Sequence, residues 1–262
     1  VIEIIVYDVF SVGNFFNRTD SDSRFVRHDS ATAGIDNFIA GNNAGDAITS
    51  GGNQNTLVGN EAGTAITTGD RNTAVGFEAL KTATTAQYNV AVGYQALENN
   101  IGNGNTAVGD QALEANTDGI NNTAVGDDAG VSVTSGDKNT FVGALAGDAV
   151  TTTDSNTAIG YNAGSTNQTG TRTTFIGDNA GANSTVSDNT FIGQNSGQAV
   201  TTGDANTIIG RFDGNSGGLD IRTVNNNVVF SDGDGNVFVF YRQDGSEVWR
   251  YSGVVASYFA AP

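Results

Sequence analysis

The glycine that closes the unit Asn-Thr-Ala-Val-Gly and its variants returns at positions 59, 76, 93, 109, 126, 143, 160, 177, 193 and 210, a step of 16 or 17 residues every time. A period so short leaves no room for an independent domain in each repeat. Each unit must cover itself with its neighbours, so the repeats stack as the coils of a solenoid and the chain grows as a rod. An eleventh copy, Asn37-Phe38-Ile39-Ala40-Gly41, stands 18 residues before Gly59 and opens the stack. Eleven coils at about 4.8 Å each predict a rod on the order of 50 Å long.

Successive side chains of an extended strand alternate between its faces, so Thr and Val of the unit share one face and the middle residue takes the other. The first face carries Val58, Val75, Val92, Val108, Val125, Val142, Ile159, Ile176, Ile192 and Ile209. All are β-branched, and this rank is predicted to be the coil core, each side chain stacked on its copy in the next coil. The other face carries Leu57, Ala74, Ala91, Ala107, Ala124, Phe141, Ala158, Phe175, Phe191 and Ile208. A strand apolar on both sides is buried on both sides, whereas a narrow coil has one inside. The second rank is therefore predicted to be an oligomer interface, with identical chains meeting along it as a homotrimer. A broad coil folding its other side over this rank is the alternative.

Three residues after each glycine comes Ala44, Ala62, Ala79, Ala96, Ala112, Ala129, Ala146, Ala163, Ala180 or Ser196, followed by Gly or Leu. Leu80, Leu97 and Leu113 fall in consecutive coils, which predicts a better-filled middle of the rod. Gly-Asp and related corners before the next unit suit left-handed turn geometry.

The composition of 36 Gly and one Pro in 262 residues is that of a repeat, and its scheduled Val, Ile and Phe set it apart from a disordered linker. With no Cys there is neither a disulfide framework nor a thiolate metal site. A net charge of −17 argues against nucleic acid and anionic membrane, both of which demand a basic footprint. Val1 to Phe10, interrupted by Glu3 and Asp8, is too short and too charged to span a bilayer. The chain opens on Val1, which suggests a processed or partial chain.

Asn156-Thr157-Ala158-Ile159-Gly160-Tyr161-Asn162-Ala163-Gly164 resembles the repeat units of bacteriophage tail fibres and of surface proteins carrying an endosialidase-type intramolecular chaperone. The repeat is also similar in pattern, not in period, to the left-handed β-roll head of trimeric autotransporter adhesins. The resemblance covers roughly residues 37 to 210 and implies a trimeric fibre displayed outside the cell or on a virion, with a host-surface receptor as a partner. No chaperone domain follows Pro262, so the resemblance implies either a cleaved chain or a relative built without one.

The period stops near Gly218. Leu219 to Arg222, Asn227 to Ser231, Val237 to Arg242 and Ser246 to Tyr251, punctuated by Asp-Gly turns, predict a β-meander that pairs between chains or caps the rod. This end, with its Ser-Asp-Gly-Asp-Gly-Asn turn, looks like the segment that follows such repeats in marine phage tail fibres. The organisation read is an N-terminal strand and cap or assembly segment over 1–36, a β-solenoid rod over 37–217 and a C-terminal β-meander over 218–262. The N-terminal strand caps the first coil or adds to a neighbouring subunit.

Chemistry-bearing residues are few. Asp70, Asp137, Asp154, Asp188 and Asp204 share one corner and form a partial acidic ladder, which turn chemistry explains without a cation. Asp232, Asp234 and Asn236 begin like a calcium loop, but Val237 and Gln243 stand where Gly and Glu are needed. Gly214-Asn215-Ser216-Gly217-Gly218 matches a nucleophile elbow in letters only, since no helix pattern follows it, and His28 is the one histidine. No catalysis, cofactor or metal is expected. Thr56, Thr73, Thr106, Thr123, Thr140, Thr157, Thr174, Thr190 and Thr207 form a rank similar to the threonine arrays of ice-binding solenoids. Sharing a face with the Val/Ile rank, they are expected to point into the coil. A second set, including Thr49, Thr67, Thr134, Thr151 and Thr201, lies near turns and faces outward. The expected protein is all-β, a β-solenoid fibre or adhesin outside the cell, with a filament subunit joined by N-terminal strand addition as the rival and an ice-binding solenoid as the minor one.

Overall fold

The computed structural model describes residues 34, 36–48, 51–241 and 247–249. The strand read over residues 1–10, His28 and Thr49 lie outside them. The protein is an all-β solenoid of about eleven turns. Each turn contributes one three-residue strand: β1 (Phe38–Ala40), β2 (Thr56–Val58), β3 (Thr73–Val75), β4 (Val90–Val92), β5 (Thr106–Val108), β6 (Thr123–Val125), β7 (Thr140–Val142), β8 (Thr157–Ile159), β9 (Thr174–Ile176), β10 (Thr190–Ile192) and β11 (Thr207–Ile209). They pair in parallel with equivalent residues facing one another, Thr106 beside Thr123 and Val108 beside Val125.

The strands stop after three residues because the next is the closing glycine, held at φ between +112° and +146° at the eleven positions from Gly41 to Gly210. Only glycine tolerates that region. The rest of each coil is a run of turns in which non-glycine residues also take left-handed backbone, Glu78 at φ +56° and Leu80 at +54° in one coil.

The two faces of the strand are reversed relative to the sequence expectation. Leu57, Ala74, Ala91, Ala107, Ala124, Phe141, Ala158, Phe175, Phe191 and Ile208 lie inside the coil, at most 2 % exposed, and are unavailable as an oligomer interface. Val58, Val75, Val92, Val108, Val125, Val142, Ile159, Ile176, Ile192 and Ile209 point outward, half-buried or exposed, and are not the coil core. The threonines between face outward with them. The reason lies one residue earlier. The Asn that opens the unit points the same way as the middle residue, and its amide closes the coil from within.

Those asparagines form a ladder that runs from Asn37 to Thr173 and resumes from Asn189 to Asn227. Asn105 Oδ1 accepts the backbone N–H of Asn122 at 2.8 Å, Asn122 Oδ1 that of Asn139 at 2.9 Å, and Asn139 Oδ1 that of Asn156 at 2.9 Å. Each side-chain amide also donates across its coil, Asn122 Nδ2 to Gly136 O at 2.7 Å. A buried amide is tolerated only with its donors and acceptors satisfied, and here the repeat itself supplies both. Thr173 replaces Asn at one rung, where its hydroxyl donates to Asn156 Oδ1 at 2.9 Å.

The core is filled by exchange between two positions. Where the strand centre is Phe141, Phe175 or Phe191, the ring packs against glycines of the facing turn. Where it is Ala74, Ala91 or Ala107, the turn carries Leu80, Leu97 or Leu113, all fully buried. Phe175 and Phe191 stack with centroids 5.3 Å apart.

At the C-terminal end β14 (Val228–Ser231) continues the sheet in parallel beside β11, and β15 (Val237–Tyr241) and β16 (Glu247–Trp249) follow antiparallel as a meander. A small hairpin, β12 (Asn215–Ser216) with β13 (Leu219–Asp220), precedes them. Phe212, Ile221, Val229 and Phe240 are buried against the last coils.

Candidate functional site

The outer face of the parallel sheet is a regular surface. From β2 to β11 it presents two ranks: threonine in nine strands and Val90 in β4, then Val or Ile in all ten. Val125, Ile159 and Ile209 are 37–40 % exposed although apolar, and the threonines are half-buried by their stacked neighbours. Phe38 of β1, Val228 and Phe230 of β14 replace the pattern at its ends.

Two threonine populations separate here. Corner threonines donate their hydroxyls to the next coil: Thr67 to Thr84 O at 3.0 Å, Thr117 to Thr134 O at 3.1 Å, Thr134 to Thr151 O at 3.2 Å and Thr201 to Arg222 O at 3.3 Å. The hydroxyls of the nine strand threonines make no hydrogen bond to protein groups among the described residues. The expectation that strand threonines point inward is thus corrected, and the reason is the inverted face.

Beside this sheet the coils carry exposed aromatic side chains. Phe77 and Tyr94 stack at 5.4 Å and 10°, and Arg71 lies 5.2 Å over the Tyr88 ring while donating to its hydroxyl. The repeat pattern alone did not single out these pairs; the signal for the first is an aromatic at equivalent positions of consecutive coils, Phe77 and Tyr94.

An acidic stripe runs along another side. Lys81 Nζ stands 2.5 Å from Glu78, 3.4 Å from Glu61 and 3.7 Å from Glu98. Its hydrogen bond, aided by Gln95, holds the Glu78 carboxyl below its ordinary range. Further along no cation among the described residues forms an ion pair with the stripe. Burial pushes the Glu114 carboxyl up, reinforced by Glu98, Asp128 and Asp110; burial does the same to Asp128, with Asp127 and Asp110 adding, and to Asp148. No three His, Cys, Asp or Glu side chains among the described residues converge in a way that could hold a metal ion.

The corner aspartates are occupied by the fold. Asp70 accepts the Asn53 N–H at 2.7 Å, Asp137 that of Ile120 at 2.8 Å and Asp154 that of Asp137 at 2.7 Å, each stapling the preceding coil. Asp188 pairs with Arg172 at 2.8 Å. Asp232 takes the N–H groups of Asp234 and Asn236 and the Asn236 amide, closing its own turn, and these bonds lower its pKa. Ser216 sits in the β12–β13 hairpin, far in kind from a strand-to-helix elbow.

Solenoid geometry thus defines the class: a stacked-coil β-protein whose parallel sheet presents uncharged Thr and Val/Ile ranks outward. No family model, curated protein or solved structure matches the chain. No helix among the described residues is long and apolar enough to cross a membrane.

Proposed function

We propose that the chain is a non-enzymatic structural rod displayed outside the cell or on a virion, a fibre or adhesin shaft of the tail-fibre kind. One observation carries this reading: eleven parallel strands bonded in unbroken register, with asparagines inside the coils joining one turn to the next. Such a stack bends little and offers proteases few open segments, the properties of a spacer that holds binding surfaces away from a particle. Recognition of a host surface falls to exposed side chains such as Phe77 and Tyr94. The reading includes self-association, as a homotrimer or as a filament, and the Ala/Phe rank takes no part in it. The filament is favoured by the ladder of 14 strands among the described residues, in which β1 stands at one edge, where strand addition would extend it.

Electron microscopy with light scattering tests this. Protease-resistant rods on the order of 50 Å, alone, in threes or end to end, are expected from the strand spacing. Compact particles digested within minutes overturn the reading, and polymers that vanish when residues 1–12 are deleted select the filament.

A further inference from the structure

We infer that the outer face of the parallel sheet binds ice, with ordered water held on its ranks of threonine hydroxyls and Val/Ile methyl groups. The ranks form a two-dimensional grid. Parallel in-register pairing repeats each side chain at the strand spacing of about 4.8 Å, and the two ranks stand two residues apart, about 6.6 Å along the strand. The repeat along the rod is close to the oxygen repeat of hexagonal ice, so water bridging one threonine to the next is already near its crystalline position.

Three properties of the face favour ordered water. All twenty outward positions of β2 to β11 are Thr, Val or Ile, whose χ1 is restricted, so the grid is set before water arrives and little side-chain freedom is lost on binding. The nine threonine hydroxyls make no protein hydrogen bond among the described residues, and each offers one donor and two acceptor positions to water. Neither rank carries a charge, although the chain carries −17, so no hydrated ion disturbs the layer.

The competing occupant is a second copy of the chain. The strip is three residues wide and ten strands long, about 10 Å by 43 Å, or roughly 430 Å². That is about half of the roughly 800 Å² each partner contributes to a stable interface. A dry contact would also set threonine hydroxyls against methyl groups, whereas ordered water satisfies them.

The test uses the full chain in ice-recrystallisation and thermal-hysteresis assays, with mass measured by light scattering. Thr140→Tyr and Thr123→Lys place protruding groups mid-face, Gln168→Tyr places one on an exposed corner, and circular dichroism confirms the fold of each. The wild type is expected to arrest crystal growth and to shape crystals. Each face variant should require a roughly tenfold higher concentration, equivalent to about 1.4 kcal/mol, and the corner variant should match the wild type. Absence of activity in the wild type, activity unchanged by both face variants, or a wild-type oligomer that the face variants dissociate each overturns the proposal. The last would make the face a contact between copies. Because ice activity and rod dimensions are read separately, either reading can fail alone.

Discussion

At the scale of single residues the repeat is held by one glycine and one asparagine per coil. A Cβ on Gly109 would stand 2.2 Å from the carbonyl oxygen of Gly126, at φ +145°, so Ala is refused both by its own backbone and by the next coil. Gly109→Ala should lower stability by about 3 kcal/mol or more. Gly233→Ala, in a turn with nothing within 4 Å of the added methyl, should stay within about 0.5 kcal/mol by denaturant titration. The asparagine is equally unforgiving. Asn122→Ala removes the acceptor for the Asn139 N–H and the donor to Gly136 O, both in the coil interior, for an expected loss of about 2–4 kcal/mol. Hydrogen exchange should show the Asn139 amide losing protection before distant coils do. Asn122→Asp keeps the acceptor but buries a charge, so it should fare no better.

At the scale of the element, the strand and its facing turn share one volume. Phe141→Ala should cost about 3–5 kcal/mol. Gly147→Leu alone should also destabilise, because its Cβ would meet the Phe141 ring at 2.4 Å. Combined, the two recreate the Ala107 and Leu113 arrangement and should recover part of the loss, a coupling that a double-mutant cycle measures directly. Leu97→Gly relieves a left-handed leucine, worth about 1–2 kcal/mol. It should still destabilise, since it empties a site between Ala91 and Ala107 where truncation costs about 2–5 kcal/mol. The period, the place of the parallel strand in each coil, the glycine corners and the Asp232–Asn236 turn of the meander were legible in the sequence because backbone conformation dictates those residues. Which face turned inward was not. Val and Ile favour a strand on either face, so their rank marked the strand and not the core. The better signals were Asn156 one residue before Thr157, which must follow Ala158 inward, and the Phe-Gly against Ala-Leu exchange, which only a closed interior produces. The unpaired strand threonines were visible as a rank but were assigned to the wrong side by the same error.

At the scale of the whole molecule, charge is distributed unevenly, and that sets how stability follows pH. Along the acidic stripe Lys81 compensates Glu61, Glu78 and Glu98, while Glu114, Asp128 and Asp148 face burial and one another's neighbours without a cation. A carboxyl whose pKa is raised by folding takes up its proton more readily in the folded chain, so protonation favours the fold. Stability from these three groups therefore rises as pH falls from neutral through their raised values, and the gain is complete below the ordinary 4.5 for Glu and 3.8 for Asp. Glu78 acts in the opposite sense: its bond to Lys81 stabilises above its ordinary 4.5, and that contribution is lost as pH falls through the lowered value. On this stripe three raised carboxyls stand against one lowered one, so the unfolding midpoint should rise as pH falls from neutral toward the ordinary 4.5 of Glu. Added salt at neutral pH should raise the midpoint by less, because it screens the smaller repulsion between carboxylates and leaves the cost of burying them unchanged. Glu114→Gln with Asp128→Asn should remove most of both responses while leaving the rod's length unchanged. A midpoint that stays level from neutral to mild acid, in wild type and variant alike, would mean that solvent already screens the stripe and that the ladders, not the charges, set the rod's stability.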